Sequence, residues 1–159
     1  MSSADQNPAD QNPADQSPAA APPTPPSAAM LPLITLGVEH VFDTLSSQPV
    51  FHPTILAVTA EGMQGMWTHP DLTPEGAAQA VAELVPRPER AVAVFDGEVE
   101  TPDGPRPAVA VEAFEAGSLT SVRVIVRYLP GVPAAGLDAQ VEGDPEVAAN
   151  GPNPLFGAF

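Results

Sequence analysis

Three sets of side chains have types and spacings that chemistry uses. The first is acidic: Asp96, Glu98, Glu100 and Glu112, with Arg123 and Arg127 four residues apart further along. Carboxylates beside an arginine do acid–base work when burial shifts one of them toward neutrality. The arginine pair itself suits an anionic ligand or an acidic partner segment. On a solvated strand face the same residues merely balance one another. Nothing in the spacing marks a cleft around them, so the expectation is a solvated face with no catalytic residue.

The second set is histidine. His40, His52 and His69 are too widely spaced for a local metal motif, although His52 and His69 could meet on neighbouring strands. Exposed or edge histidines are the expectation, and no metal is assigned. The third set is glycine: Gly62-Met63-Gln64-Gly65 lacks the lysine and the strand-to-helix setting of a phosphate loop. There is no G-x-S-x-G elbow and no H-E-x-x-H helix. With 0 cysteines, disulfides, thiol catalysis and cysteine metal sites are excluded. No cofactor is implied.

The elements that would position these residues are read from periodicity. Ala91 to Glu100, Ala108 to Glu115 and Thr120 to Leu129 alternate as three antiparallel strands. Pro102-Asp103-Gly104-Pro105 and Ala116-Gly117-Ser118-Leu119 supply the two turns. In the last strand Val122, Val124, Val126 and Tyr128 share one face, and Ser121, Arg123, Ile125 and Arg127 the other. A loop at Gly117-Ser118 sets Glu112 opposite Arg123, Val111 opposite Val124 and Ala113 opposite Val122. A slip of one residue would turn the valines into solvent, so this register is specified. The valine-rich last strand, if an edge, suggests a homodimer.

Upstream, Ile34, Val38, Val41, Phe42 and Leu45 recur at helical spacing, predicting a helix over roughly Leu33 to Ser46. Gly37 weakens it. His52 to Ala60 and Met63 to His69 read as a hairpin around Glu61-Gly62, with Trp67 at the domain edge. Thr73-Pro74-Glu75 marks a second helix start, with Ala77, Ala78, Val81, Leu84 and Val85 as its buried stripe and Pro86 as its stop.

The expected fold is therefore α+β, an antiparallel sheet of about five strands with two helices, in a single domain over 30–130. It is flanked by disordered tails. Residues 1–29 carry the repeat Ala4-Asp-Gln-Asn-Pro8, Ala9-Asp-Gln-Asn-Pro13, Ala14-Asp-Gln-Ser-Pro18 and then Pro22-Pro23-Thr24-Pro25-Pro26. Proline at every fifth position excludes helix interiors and sheet centres, and nothing larger than alanine is there to offset the ordering entropy. Residues 131–159 are acidic and rich in Pro and Gly, yet end Leu155-Phe156-Gly157-Ala158-Phe159. That ending either covers a groove on its own domain or forms a motif for a partner. The partner-binding candidates are Leu155, Phe156, Phe159, Arg123 and Arg127.

A net charge of −15, with five arginines and no lysine, argues against nucleic acid and against anionic membrane surfaces. No segment is apolar over the ~18 residues a membrane helix needs, and no basic segment opens a secretory signal. The expectation is a soluble cytoplasmic protein. Its 22 prolines are roughly three times ordinary usage, and its lack of lysine hints at a GC-rich bacterium.

The order helix-strand-strand-helix-strand-strand-strand resembles that of roadblock, longin and other profilin-like modules, in topology alone. The stretches Ala91-Val-Ala-Val-Phe-Asp96, Pro102-Asp103-Gly104, Ala108-Val-Ala-Val-Glu112 and Val122 to Tyr128, closed by Leu129-Pro130, are similar to small uncharacterised bacterial α+β proteins over roughly 52–130. The first resemblance implies a non-catalytic binding platform, and the second brings no activity. The leading expectation is a protein-interaction module (adaptor, chaperone-like or regulatory) working through a sheet face or edge and the apolar C-terminal motif. The alternatives are a small-ligand domain using the space between helix and sheet, and an enzyme using the Asp96/Glu98/Glu112/Arg123 face.

Overall fold

The computed structural model describes residues 24–156. The five-residue repeats and Phe159 lie outside them. Helix α1 (Leu31–Ser47) is followed by the hairpin β1 (Thr54–Val58) and β2 (Gln64–Thr68). A single 3₁₀ turn, Pro74–Gly76, leads into the short α2 (Ala77–Ala82). Next come β3 (Arg90–Thr101), β4 (Gly104–Glu115) and β5 (Thr120–Leu129), then β6 (Gln140–Val141) and β7 (Glu146–Pro152). The fold is α+β. Its antiparallel sheet of seven strands runs β2-β1-β3-β4-β5, with β6 and β7 both on the outer edge of β5, and the sheet curls toward a half-barrel.

The predicted register is present: Glu112 lies opposite Arg123, Val111 opposite Val124 and Ala113 opposite Val122. The sheet is larger than the five strands expected, because the chain after Pro130 joins it. β7 pairs with Thr120–Ile125 and β6 with Tyr128–Leu129. β5 is thus an interior strand, which removes the reason for expecting a dimer through it. Upstream of α1, two residues bond to the sheet. Ser27 donates to Glu115 Oε1 at 2.7 Å and Arg90 to the Ala29 carbonyl at 2.7 Å.

Both sheet faces are covered. On one, Leu56, Val92, Val94, Val109, Val111, Val124 and Val126 pack with Leu33, Ile34, Val38 and Val41 of α1. The helix lies chiefly over β3 and β4. A Cβ on Gly37 would meet Val94 Cγ2 at 2.8 Å, so this glycine is what lets the helix seat so closely. On the other face, Ile55, Ala57, Ala91, Ala93, Phe95 and Phe114 pack with Ala77 and Val81 of α2 and with Leu155.

Thr73 caps the 3₁₀ turn rather than the α-helix itself, its Oγ1 accepting from the Gly76 N–H at 3.2 Å, and α2 begins only at Ala77. It stops at Ala82 rather than running to the proline, and Val85 is exposed instead of buried. The residue before a proline avoids the helical region, which takes Val85 out of the helix and its buried stripe. Among the described residues, no helix is long and apolar enough to cross a membrane.

The C-terminal segment is tied down by Asn153. Its Nδ2 donates to the Glu115 and Ser118 carbonyls, both at 2.6 Å, and its Oδ1 accepts from the Leu155 N–H at 3.0 Å. Asn153→Ala takes the amide donor from both carbonyls of this half-buried turn, leaving the Glu115 carbonyl only its bond from the Ser118 N–H. The expected cost is about 1–3 kcal/mol, read from urea unfolding.

Candidate functional site

The acidic residues singled out by sequence do not form one cluster. Alternation along β3 and β4 puts Asp96, on the Val94 side, on the α1 face, and Glu112, between Ala110 and Phe114, on the α2 face. Asp96 instead meets the phenol of Tyr128, whose hydroxyl donates to Asp96 Oδ1 at 2.6 Å. Burial first, and that bond second, push the Tyr128 hydroxyl above its ordinary range.

Glu112 was expected on a solvated face and is fully buried. The reason is that β3 and β4 are covered on both sides, as central strands with near-continuous apolar runs are. Its Oε1 accepts from Arg123 Nε at 2.5 Å and its Oε2 from the amide of Asn150 on β7. Burial is the larger influence and holds the carboxyl above its ordinary value; the Arg123 hydrogen bond and charge oppose it, and Glu75 adds a smaller upward push. Both oxygens are committed to structural partners. The cluster clamps β4, β5 and β7 together. Among the described residues, the buried Nε of Arg127, on the same face of β5, has no hydrogen-bond partner.

The histidines stand apart. His40 sits edge-on to Phe51, with ring centroids 5.7 Å apart. Pro53, next to His52, and His69 are joined by a backbone bond of 2.8 Å across the hairpin. Among the described residues, no group of three His, Asp or Glu side chains is placed to hold a metal. Of the partner candidates, Leu155 is fully buried in its own domain and Phe156 is exposed.

The site that sequence reasoning did not locate lies beside α1. Because the helix sits chiefly over β3 and β4, the buried valines of β5 form the floor of a hollow at its side. A groove of about 650 Å³ runs over Val124 and Val126. Leu31, Ile34, Val38 and Phe42 of α1 wall one side, Val141, Pro145 and Val147 the other, and Pro25 and Pro26 contribute from the N-terminal arm. Its polar side chains are Thr35 and Glu39 alone. Phe42 also borders a second hollow, of 470 Å³, that holds Asp43, Asp96, Tyr128 and Asp138. Phe42 and Tyr128 form a tilted aromatic pair at 5.2 Å, at the junction of the two.

No family model, no curated protein and no solved structure matches the chain. The functional reading therefore rests on this geometry. The one sequence signal for the groove was the valine stripe of β5; its lateral distance from α1 is set by tertiary packing and leaves no mark on the pattern.

Proposed function

We propose that this chain is a non-catalytic binding module that holds a small apolar molecule, uncharged or cationic, between α1 and β5–β7. The observation that carries this reading is the groove itself. Its volume falls within the few hundred to one thousand Å³ typical of small-molecule sites, and its lining is apolar with few polar groups. Four separate chain segments wall it, which suits a compact ligand better than a long peptide.

Charge supplies the selectivity. The ionisable lining residue is Glu39, and the adjoining hollow carries three aspartates. No arginine lines either space, and the whole chain is at −15. An anionic head group would meet like charge without a compensating partner. A cationic one would find carboxylates beside the aromatic pair.

The test is titration with Nile red, a neutral solvatochromic dye, against the parent chain and Leu31→Asp/Val141→Asp. Both positions are about half exposed, so folding is little affected while the groove acquires two charges. The expected result is saturable one-to-one binding by the parent, weakened at least tenfold in the variant. A dye response unchanged by the two substitutions would move the site elsewhere.

The interaction-module reading keeps its own support in the open edge of β2, which is independent of the groove.

A further inference from the structure

The sheet ends at β2, and among the described residues nothing pairs with its outer edge. The direction of its backbone groups follows from the hairpin. The Thr59 N–H donates to the Met63 carbonyl at 2.9 Å and the His69 N–H to the Pro53 carbonyl at 2.8 Å. The register between these bonds runs from Val58 opposite Gln64 to Thr54 opposite Thr68. Antiparallel pairs alternate between bonded and non-bonded, so Gly65 and Trp67 turn their backbone groups toward β1. Gln64, Met66 and Thr68 turn theirs outward, leaving an unpaired row of donors and acceptors.

Natural sheets block such rows with charged side chains, proline or a bulge. This edge has none of these: Gly62 to Thr68 contains no ionisable residue and no proline, and β2 pairs with β1 without a register shift. It is also apolar, with Met63 and Met66 each more than half exposed and Trp67 about one-third exposed. A Cβ on Gly65 would run into the indole of Trp67, so the ring lies over the strand at Gly65.

The charges sit at the two ends. Glu61 precedes β2 by three residues and Asp71 follows it by three, both exposed. A second copy pairing antiparallel about Met66 would set Glu61 against Asp71 at both ends, between two chains of −15. Like charges there oppose self-association. We infer that the β2 edge is a docking site for an extended segment of a partner protein, uncharged over the length of β2 and basic at both ends. That segment joins the sheet as its next strand, through the outward groups of Gln64, Met66 and Thr68.

The full chain reports on this directly, because Trp67 is its one tryptophan. The probes are the peptide Lys-Arg-Thr-Val-Thr-Val-Thr-Arg-Lys and a counterpart with glutamate at the four basic positions. The basic peptide is expected to change Trp67 emission saturably, and to bind at least tenfold more tightly than the acidic one. Added salt should weaken it, because the selectivity is between exposed charges. Met66→Pro removes an outward N–H while leaving the bonds to β1 in place, and Thr68→Lys sets a repelling charge on the edge without constraining the backbone; each should abolish the response. No saturable response, equal binding of both peptides, or binding that survives both variants overturns the proposal. So does a concentration-dependent dimer in sedimentation that Thr68→Lys dissolves, which would assign the edge to a second copy.

Discussion

Arg123→Met is expected to destabilise the domain by about 1–3 kcal/mol near pH 8, less than for a fully buried pair because solvent screens the exposed side of the arginine. Glu112 is the buried member, at 0% side-chain exposure, while Arg123 is 38% exposed. Removing the arginine therefore leaves a carboxylate in the interior with Asn150 as its remaining hydrogen-bond donor. The penalty depends on pH, and its sign is fixed. Glu112 is already held above its ordinary value of 4.5, by burial first and against the pull of Arg123. A raised value means that the folded chain holds this proton more tightly than the unfolded chain does. Its favourable contribution is complete below the ordinary carboxylate range and is lost as pH rises through the folded value.

Without Arg123 that folded value moves further up, so the penalty of the variant should shrink steadily as pH falls from 8 toward 5.5. Urea unfolding of parent and variant at several pH values measures this. Glu112→Gln combined with Arg123→Met should remove the pH dependence of the difference. A penalty below about 1 kcal/mol, or one that is flat with pH, would contradict the account of this clamp.

Leu155→Ala is expected to lose about 2–5 kcal/mol, the range for truncating a fully buried leucine. Leu155 belongs to the buried cluster that includes Ile55, Ala57, Ala93, Phe95, Phe114 and Val81. Its segment is held by Asn153 and by Arg87, which donates to the Pro154 carbonyl at 2.8 Å. Phe156 is 52% exposed, so Phe156→Ala should stay within about 0.5 kcal/mol of the parent. Equal effects of the two substitutions in urea unfolding would mean that the ending does not dock on its own sheet.

Much of the sheet was legible because β-register is a strong constraint wherever one face is apolar. The alternation of Val122, Val124, Val126 and Tyr128 and the turn at Gly117 are sufficient to pair β4 with β5, and the paired strands place Glu112 against Arg123. The same alternation was misleading for burial. Ala91, Ala93, Ala110 and Phe114 mark a second buried face, and alanine reads weakly as core until a helix is known to approach it. Glu112 therefore looked solvated.

β7 was missed because Glu146-Val-Ala-Ala-Asn-Gly-Pro152 contains one large apolar residue, Val147, and three turn formers. Its place is fixed by the free edge of β5, not by its own propensity. Gly37 looked like a defect in a helix and is a point where α1 approaches β3 too closely for a Cβ. The groove exists because that contact holds the helix to one side of β5.

The most direct test of a binding module with charge selectivity is isothermal titration of the full chain with three ligands sharing one decyl chain, each below its micellar concentration. Decyltrimethylammonium is cationic, decyl maltoside neutral and decanoate anionic. The account predicts saturable one-to-one binding of the first two, each at least tenfold tighter than decanoate, with a negative heat-capacity change from apolar burial. Decanoate binding as tightly as the others, or no saturable binding by any of the three, would contradict it.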